Sequence, residues 1–340
     1  MNKTLKYATN GALIGGFGNA ILNAINQIEK IDGDTTFNWN ECLKAFAKGA
    51  LVGGAGGFAL GSIRDNDMTN ILIATGGTSG FIKDALYNYS DNNLSLCSKA
   101  EKILKQLHYE FKEYLSEYPS IRGSIIKGTS IHNSDIDIQL KFNNGSGSIE
   151  SLRDMVESFL NEKFVDRNLI GVRSQNHSIG LIFRLEGEEK RIDIVPMREI
   201  ENGKGDTFLY STKSNSIKKT NTEIQLSSLK FTEKQKQIIK LLKGWKLDNE
   251  LKLSSILIEH IVKRVFKEYS IPRRIDNALF FVIDYIGNNI TRIRIIDPAN
   301  TNNIISDCLS YDEKVKIQNF CFNMLIEIEK DDRNIIDYFQ

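Results

Sequence analysis

Two short stretches, DIDIQLKF at 135–142 and RIDIVPM at 191–197, alternate polar or charged residues with aliphatic ones. A period of two marks a β-strand with one face in a core, and on such a strand residues i and i+2 share a face. Asp135 and Asp137 therefore stand side by side with Ile136 and Ile138 turned inward, and Asp193 has the same apolar flanks in Ile192 and Ile194. If the two strands are neighbours, three carboxylates converge at one edge. Carboxylates that close repel, and each raises its neighbour's pKa unless a cation sits between them. Magnesium meets that need, because it takes oxygen ligands and is held by one or two carboxylates plus substrate phosphates.

The surroundings of these strands are of mixed type. LIGVRS, SIGLIFRLEG and KRIDIVPM are short, alternating and β-branched, while 99–117 and 149–163 place Ile103, Leu107, Phe111, Leu152, Val156 and Leu160 at helical spacing. From residue 230 onward four periodic segments predict helices, among them EKQKQIIKLLKGWK and LSSILIEHIVKRVFKEY. The fold class is α+β, a helix-flanked sheet followed by a helical lobe. Trp245 is expected in the core, the Asn/Ser-rich 88–98 reads as a linker, and Asn302 or Asn303 is expected to cap a helix.

GSIIKGTSIHNSDIDIQL at 123–140 puts a small-residue turn ten residues ahead of the acidic pair. Gly123 and Ser124, with Gly128 and Thr129 behind them, offer backbone N–H groups and hydroxyls to a triphosphate, where a Cβ would obstruct the approach. Three acids and two divalent ions are the parts of an in-line phosphoryl transfer that releases pyrophosphate. Asp135 and Asp137 would bridge both ions, and Asp193 is the candidate base beside the acceptor hydroxyl.

Gly-Ser, ten intervening residues, D-I-D-I and then a lone strand aspartate about 55 residues later follow the order of the polymerase-β-like nucleotidyltransferases. GSIIKGTSIHNSDIDIQL and RIDIVPM resemble the active-site motifs of the oligoadenylate-synthetase and cGAS/DncV-like branch, whose bacterial members make nucleotide signals in antiphage defence. IIKLLKGWK resembles that branch's Lys-x-Trp helix, SSILIEHIV its Ser-x-x-x-Glu helix, and IIDPANTNNI its Asp-Pro turn. The resemblance covers 99 to about 325 and implies a nucleotidyltransferase lobe over 93–205 and a helical nucleotide-binding lobe over 206–340. It makes Gly123 and Ser124 the phosphate turn, Asp135, Asp137 and Asp193 the catalytic metal carboxylates for Mg²⁺ or Mn²⁺, and Lys243 and Ser255 triphosphate contacts. The implied activity is template-independent joining of NTPs or dNTPs into a short cyclic or linear oligonucleotide, with an effector protein responding to the product. The cysteine-rich zinc insertion of the branch's animal DNA sensor is missing, so direct activation by duplex DNA is not implied. Nucleotidyl transfer to a protein hydroxyl or RNA end is the alternative chemistry; a nucleotide-sensing module controlling a membrane-active N-terminal segment is the other alternative.

The resemblance leaves 1–92 unexplained. GALIGGFG at 11–18 and GALVGGAG at 49–56 share six of eight positions, and glycine recurs every fourth residue at 49, 53, 57 and 61. Such faces suit closely packed helices, in water or in lipid. The uncharged runs at 7–28, 49–63 and 68–82 are either rich in Asn, Thr and Gln or shorter than the ~20 apolar residues of a spanning helix. A glycine-rich helical module for homo-oligomerisation is therefore expected, with membrane contact as the alternative. The balance of 44 basic against 43 acidic residues excludes a whole-surface field for nucleic acid or membrane, although 213–246 carries nine lysines against Glu223 and Glu233. Four scattered cysteines fit a reducing cytoplasm.

Overall fold

The computed structural model describes residues 76–90, 94–201 and 203–339, so the octapeptide repeat and most of the glycine-rich 1–92 lie outside the described residues. Thr78–Leu325 with Arg333–Gln340 form one compact unit.

At the centre is a mixed seven-stranded sheet. Strands β1 (Ser120–Arg122), β2 (Ile136–Phe142), β3 (Leu169–Ser174), β4 (Ile179–Leu185) and β5 (Glu188–Glu199) run in the spatial order β1-β2-β5-β4-β3. The hairpin β6 (Thr207–Ser211) and β7 (Ser216–Thr220) extends from the end of β5. β2 and β5 are parallel, while β1 on β2 and β4 on β5 are antiparallel. The period-two pattern explains how the sheet is used. Ile136, Ile138, Leu140 and Phe142 of β2 and Ile192 and Ile194 of β5 are all fully buried, packed under α1 (Gly76–Asn88)'s successor in the chain, α2 (Leu94–Phe111), and under α4 (Ile149–Glu162). The alternate positions 135, 137, 139, 191, 193 and 195 are left for the opposite face.

That face meets a one-turn helix, α3 (Gly123–Lys127), and a helical layer of α5 (Thr222–Ser228), α6 (Glu233–Asp248), α7 (Ser255–Glu268), α8 (Ile275–Asn289) and α9 (Tyr311–Lys330). A capping box of Thr232 and Gln235 fixes the start of α6, satisfying amide groups that a helix end leaves open. Ser254 caps α7 by accepting from the Leu257 amide, which puts Ser255 in the first turn. Trp245 is fully buried, as its helical spacing predicted.

Several local expectations are corrected. The polar stretch 88–98 is not a linker throughout, since α2 begins at Leu94 and its Leu96 is fully buried. That helix stops at Phe111 rather than 117, and Leu115 instead bridges to Phe142 at the sheet edge. Asn303 caps no helix: its side chain donates to Asp297 Oδ2 at 3.0 Å within the hairpin β8 (Ile296–Asp297) and β9 (Asn300–Ile304). Among the described residues no helix is long and apolar enough to cross a membrane.

Candidate active site

The parallel pairing of β2 and β5 sets Asp137 directly opposite Asp193, with Ile136 opposite Ile192 and Ile138 opposite Ile194. Adjacent in-register residues of a sheet share a face, so these two carboxylates project together. Asp135 precedes β2 by one residue; its charge raises Asp137, and the charge of Asp193 raises it in turn. Burial pushes the Asp137 carboxyl up to about 6, with Asp193 and Asp135 adding to the shift and Lys127 and Lys243 opposing it. Burial likewise raises Asp135, against the nearby Arg191, and raises Asp193, against hydrogen bonds from Ser178 and Gln175.

The carboxylates converge without closing into a finished cage. Arg191 Nε lies 3.3 Å from Asp135 Oδ1, while Asp193 accepts from Gln175 Nε2 at 3.0 Å and from Ser178 Oγ at 3.3 Å. Among the described residues no three His, Cys, Asp or Glu side chains group at metal-binding distances. A site that relies on substrate phosphates for part of its ligand shell has this character.

Gly123 explains why a small residue precedes the acids by so fixed an interval. Its φ is +71°, a left-handed conformation, and a Cβ built there would lie 1.9 Å from Asp137 Oδ2. Only glycine lets α3 close against that carboxylate. The rest of the turn differs from the expectation of open N–H groups. The Gly128 amide donates to Ile125 O and the Thr129 amide to Ser124 O, at 3.0 and 2.9 Å, so both are consumed in ending the helix.

Opposite α3 stands a buried charge cluster. Glu259 on α7 is 1% exposed, and it accepts from Thr129 Oγ1 at 2.8 Å and from Lys243 Nζ at 3.0 Å while pairing with Lys127 through its other oxygen. Burial alone would raise the Glu259 carboxyl; Lys243 and Lys127 hold it below its ordinary value. Lys243 is 2% exposed and also donates to Thr129 O at 3.0 Å. Ser255 accepts from Lys246 Nζ at 3.2 Å. Gly123, Ser124, Asp135, Asp137, Lys243 and Ser255 thus line one cleft of about 340 Å³.

Sequence reasoning gave no role to three residues of this cleft, although Glu259 is the glutamate of the Ser-x-x-x-Glu motif. Lys246 follows Lys243 by three positions, a helical spacing that places both on one face. Glu259 stands four residues after Ser255 on the same helix, and Lys127 four after Gly123. A second, mainly apolar cavity of about 180 Å³ adjoins on the far side of Gly123 and Asp137, walled by Gln139, Val195, Met197, Leu226 and Leu229.

A sheet bearing these acids, backed by two helices and faced by a helical layer, is the fold of polymerase-β-like nucleotidyltransferases. Solved cGAS/DncV-like proteins are among the structures to which this fold is similar. CdnC of E. coli MS115-1, solved with ATP, has a TM-score of 0.59 at 17% identity, over 74% of this chain and 91% of that one. CdnG of Bradyrhizobium diazoefficiens, solved with GTP, gives 0.61 at 11% identity over 78% and 96%. CdnE of Elizabethkingia meningoseptica, a cyclic dinucleotide synthase, gives 0.52 at 18% over 72% and 97%. No protein-family model and no curated protein matches the sequence.

Proposed function

We propose that this chain is a template-independent nucleotidyltransferase that joins NTPs or dNTPs into a short cyclic or linear oligonucleotide, a signal in bacterial antiphage defence. The observation that carries the reading is the in-register pairing of Asp193 with Asp137, which itself lines a cleft that also holds Gly123, Ser124, Asp135 and Lys243. The donor set of Asp135, Asp137 and Asp193 is all oxygen, and burial has raised all three carboxyls, a cost that a bound cation offsets, so it fits Mg²⁺ or Mn²⁺. When bound, such an ion neutralises phosphate charge and lowers the pKa of the attacking hydroxyl.

The chain's own groups do the rest. Ser124, Lys243, Lys246 and Ser255 hold the triphosphate in the larger cavity, and the smaller apolar cavity takes the acceptor nucleoside. Both cavities include Gly123, Lys127 and Asp137, so the acceptor hydroxyl meets the α-phosphorus there. Asp193, positioned by Gln175 and Ser178, accepts the hydroxyl proton. The new O–P bond forms as the bond to pyrophosphate breaks, and pyrophosphate leaves. In this reading 93–205 supplies the carboxylates, 206–340 the triphosphate contacts, and 1–92 an oligomerisation module; an effector protein answers the product.

The test is incubation of the purified chain with each labelled ribo- and deoxynucleoside triphosphate, singly and in pairs, with Mg²⁺ or Mn²⁺. An oligonucleotide and pyrophosphate are expected, and neither from the Asp135→Ala/Asp137→Ala chain. No product from any combination rules the reading out.

A pH dependence follows from Asp137. Its folded-state pKa of about 6 lies above the ordinary 3.8, so its contribution to stability is complete below about 3.8 and is lost as pH rises through about 6. Cation binding needs the ionised form and so has the opposite trend. Thermal melts are expected to show Mn²⁺ stabilising the chain strongly at about pH 7.5 and little at about pH 5.

A further inference from the structure

Gly244 sits in the middle of α6, where glycine costs about 1 kcal/mol relative to alanine. What occupies the space of its missing side chain is Tyr89: a Cβ there would lie 2.3 Å from both Cε2 and Cζ of that ring, which is 2% exposed. The Tyr89 hydroxyl donates to Asp248, one turn along the same helix. The backbone at this point reaches the active site. Tyr89 O accepts from the His132 amide at 3.3 Å, and Ser90 forms an antiparallel bridge with Ile131.

Residues 131–134 are a tight loop, closed by Ser134 N donating to Ile131 O at 2.8 Å and Ile131 N donating to Ser134 Oγ at 2.9 Å. The next residue is Asp135. At its other end the loop follows Thr129, held by Glu259 and by Lys243, the immediate neighbour of Gly244. Consecutive residues of α6 thus hold the loop by two routes. Upstream, Thr78 Oγ1 donates to Asp276 Oδ2 at 3.0 Å, so the segment 78–90 is fastened at both ends.

We propose that Tyr89 is a positioning residue for nucleotidyl transfer: seated in the Gly244 notch, it sets the 131–134 loop and with it the placement of Asp135. The inference rests on the nucleotidyltransferase reading.

The experiment uses the full chain. Gly244→Ala expels the ring, Tyr89→Phe keeps the ring but removes the bond to Asp248, and Gly244→Ala with Tyr89→Val reopens the space. Gly244→Ala is expected to weaken Mn²⁺ binding, read by electron paramagnetic resonance, about tenfold. It should lower kcat about tenfold or more with KM for the triphosphate nearly constant, and speed amide exchange at 131–135. Tyr89→Phe should show a smaller change of the same sign, and the double variant should recover part of the loss, a non-additivity that marks direct contact. A Gly244→Ala chain with unchanged Mn²⁺ affinity and unchanged exchange at 131–135 overturns the proposal, whatever its melting temperature. If the unaltered chain makes no product, the nucleotidyltransferase reading fails, and the exchange and Mn²⁺ measurements still decide the role of Tyr89.

Discussion

Asp137→Asn is expected to lower the rate of metal-dependent nucleotidyl transfer by about 10³-fold, the loss of several kcal/mol of transition-state stabilisation. The same change should leave the metal-free melting temperature at about pH 8 unchanged or higher. At that pH the wild-type carboxylate is ionised although burial, Asp193 and Asp135 all favour its protonated form. An amide of the same shape relieves that strain and still fits beneath Gly123, whose α-carbon leaves no room for a larger group. Opposite movements of rate and stability are the signature of a group retained for function, where the site costs the fold something. A rate within tenfold of wild type would remove Asp137 from the chemistry. A sharply lower melting temperature would assign it to the fold instead.

Glu259→Ala should have the largest effect on stability. The carboxylate is the shared counter-charge of Lys127 and Lys243, and at 1% and 2% exposure neither Glu259 nor Lys243 has water to fall back on. Removing one partner of a buried ion pair costs about 3–5 kcal/mol, because the other charge stays behind. For a unit of this size that is a fall of about 10 °C in Tm. Inorganic pyrophosphate or a triphosphate should restore more stability to the Glu259→Ala chain than to wild type, since an anion in the cleft then replaces the lost carboxylate. Urea unfolding with and without pyrophosphate measures both effects. Equal stabilisation of the two chains would mean that the lysines do not face the polyphosphate.

The alternating pattern at 135–142 and 191–197 was enough to place five aliphatic side chains in the core and three acids on the other face. It could not show that β5 lies between β2 and β4, because strand order depends on how the intervening residues fold back. The direct opposition of Asp137 and Asp193 is therefore a tertiary fact. Lys243 was singled out through the resemblance of IIKLLKGWK to a Lys-x-Trp helix, yet its bond to Glu259 joins two helices and leaves no periodic trace. Composition misled at two places. The Asn and Ser around Leu94 hid the first turn of α2 and its buried Leu96, and the lysines of 213–219 drew attention from the alternation that forms the hairpin β6–β7. The five-residue α3 was read as an open turn because so short a helix carries no period to detect.

The pairing of β2 with β5 also bears on when the enzyme comes to exist as the chain is synthesised. β3, β4 and β5 form a meander of near neighbours, and contacts of short sequence separation form early, whereas β2 reaches β5 only across the whole of α4, β3 and β4. Nascent chains that end before residue 191 hold one half of the acidic pair and none of α6 or α7. Such chains lack the opposed carboxylates and the buried Lys243–Glu259 pair, so the cleft is assembled only once synthesis has passed α7.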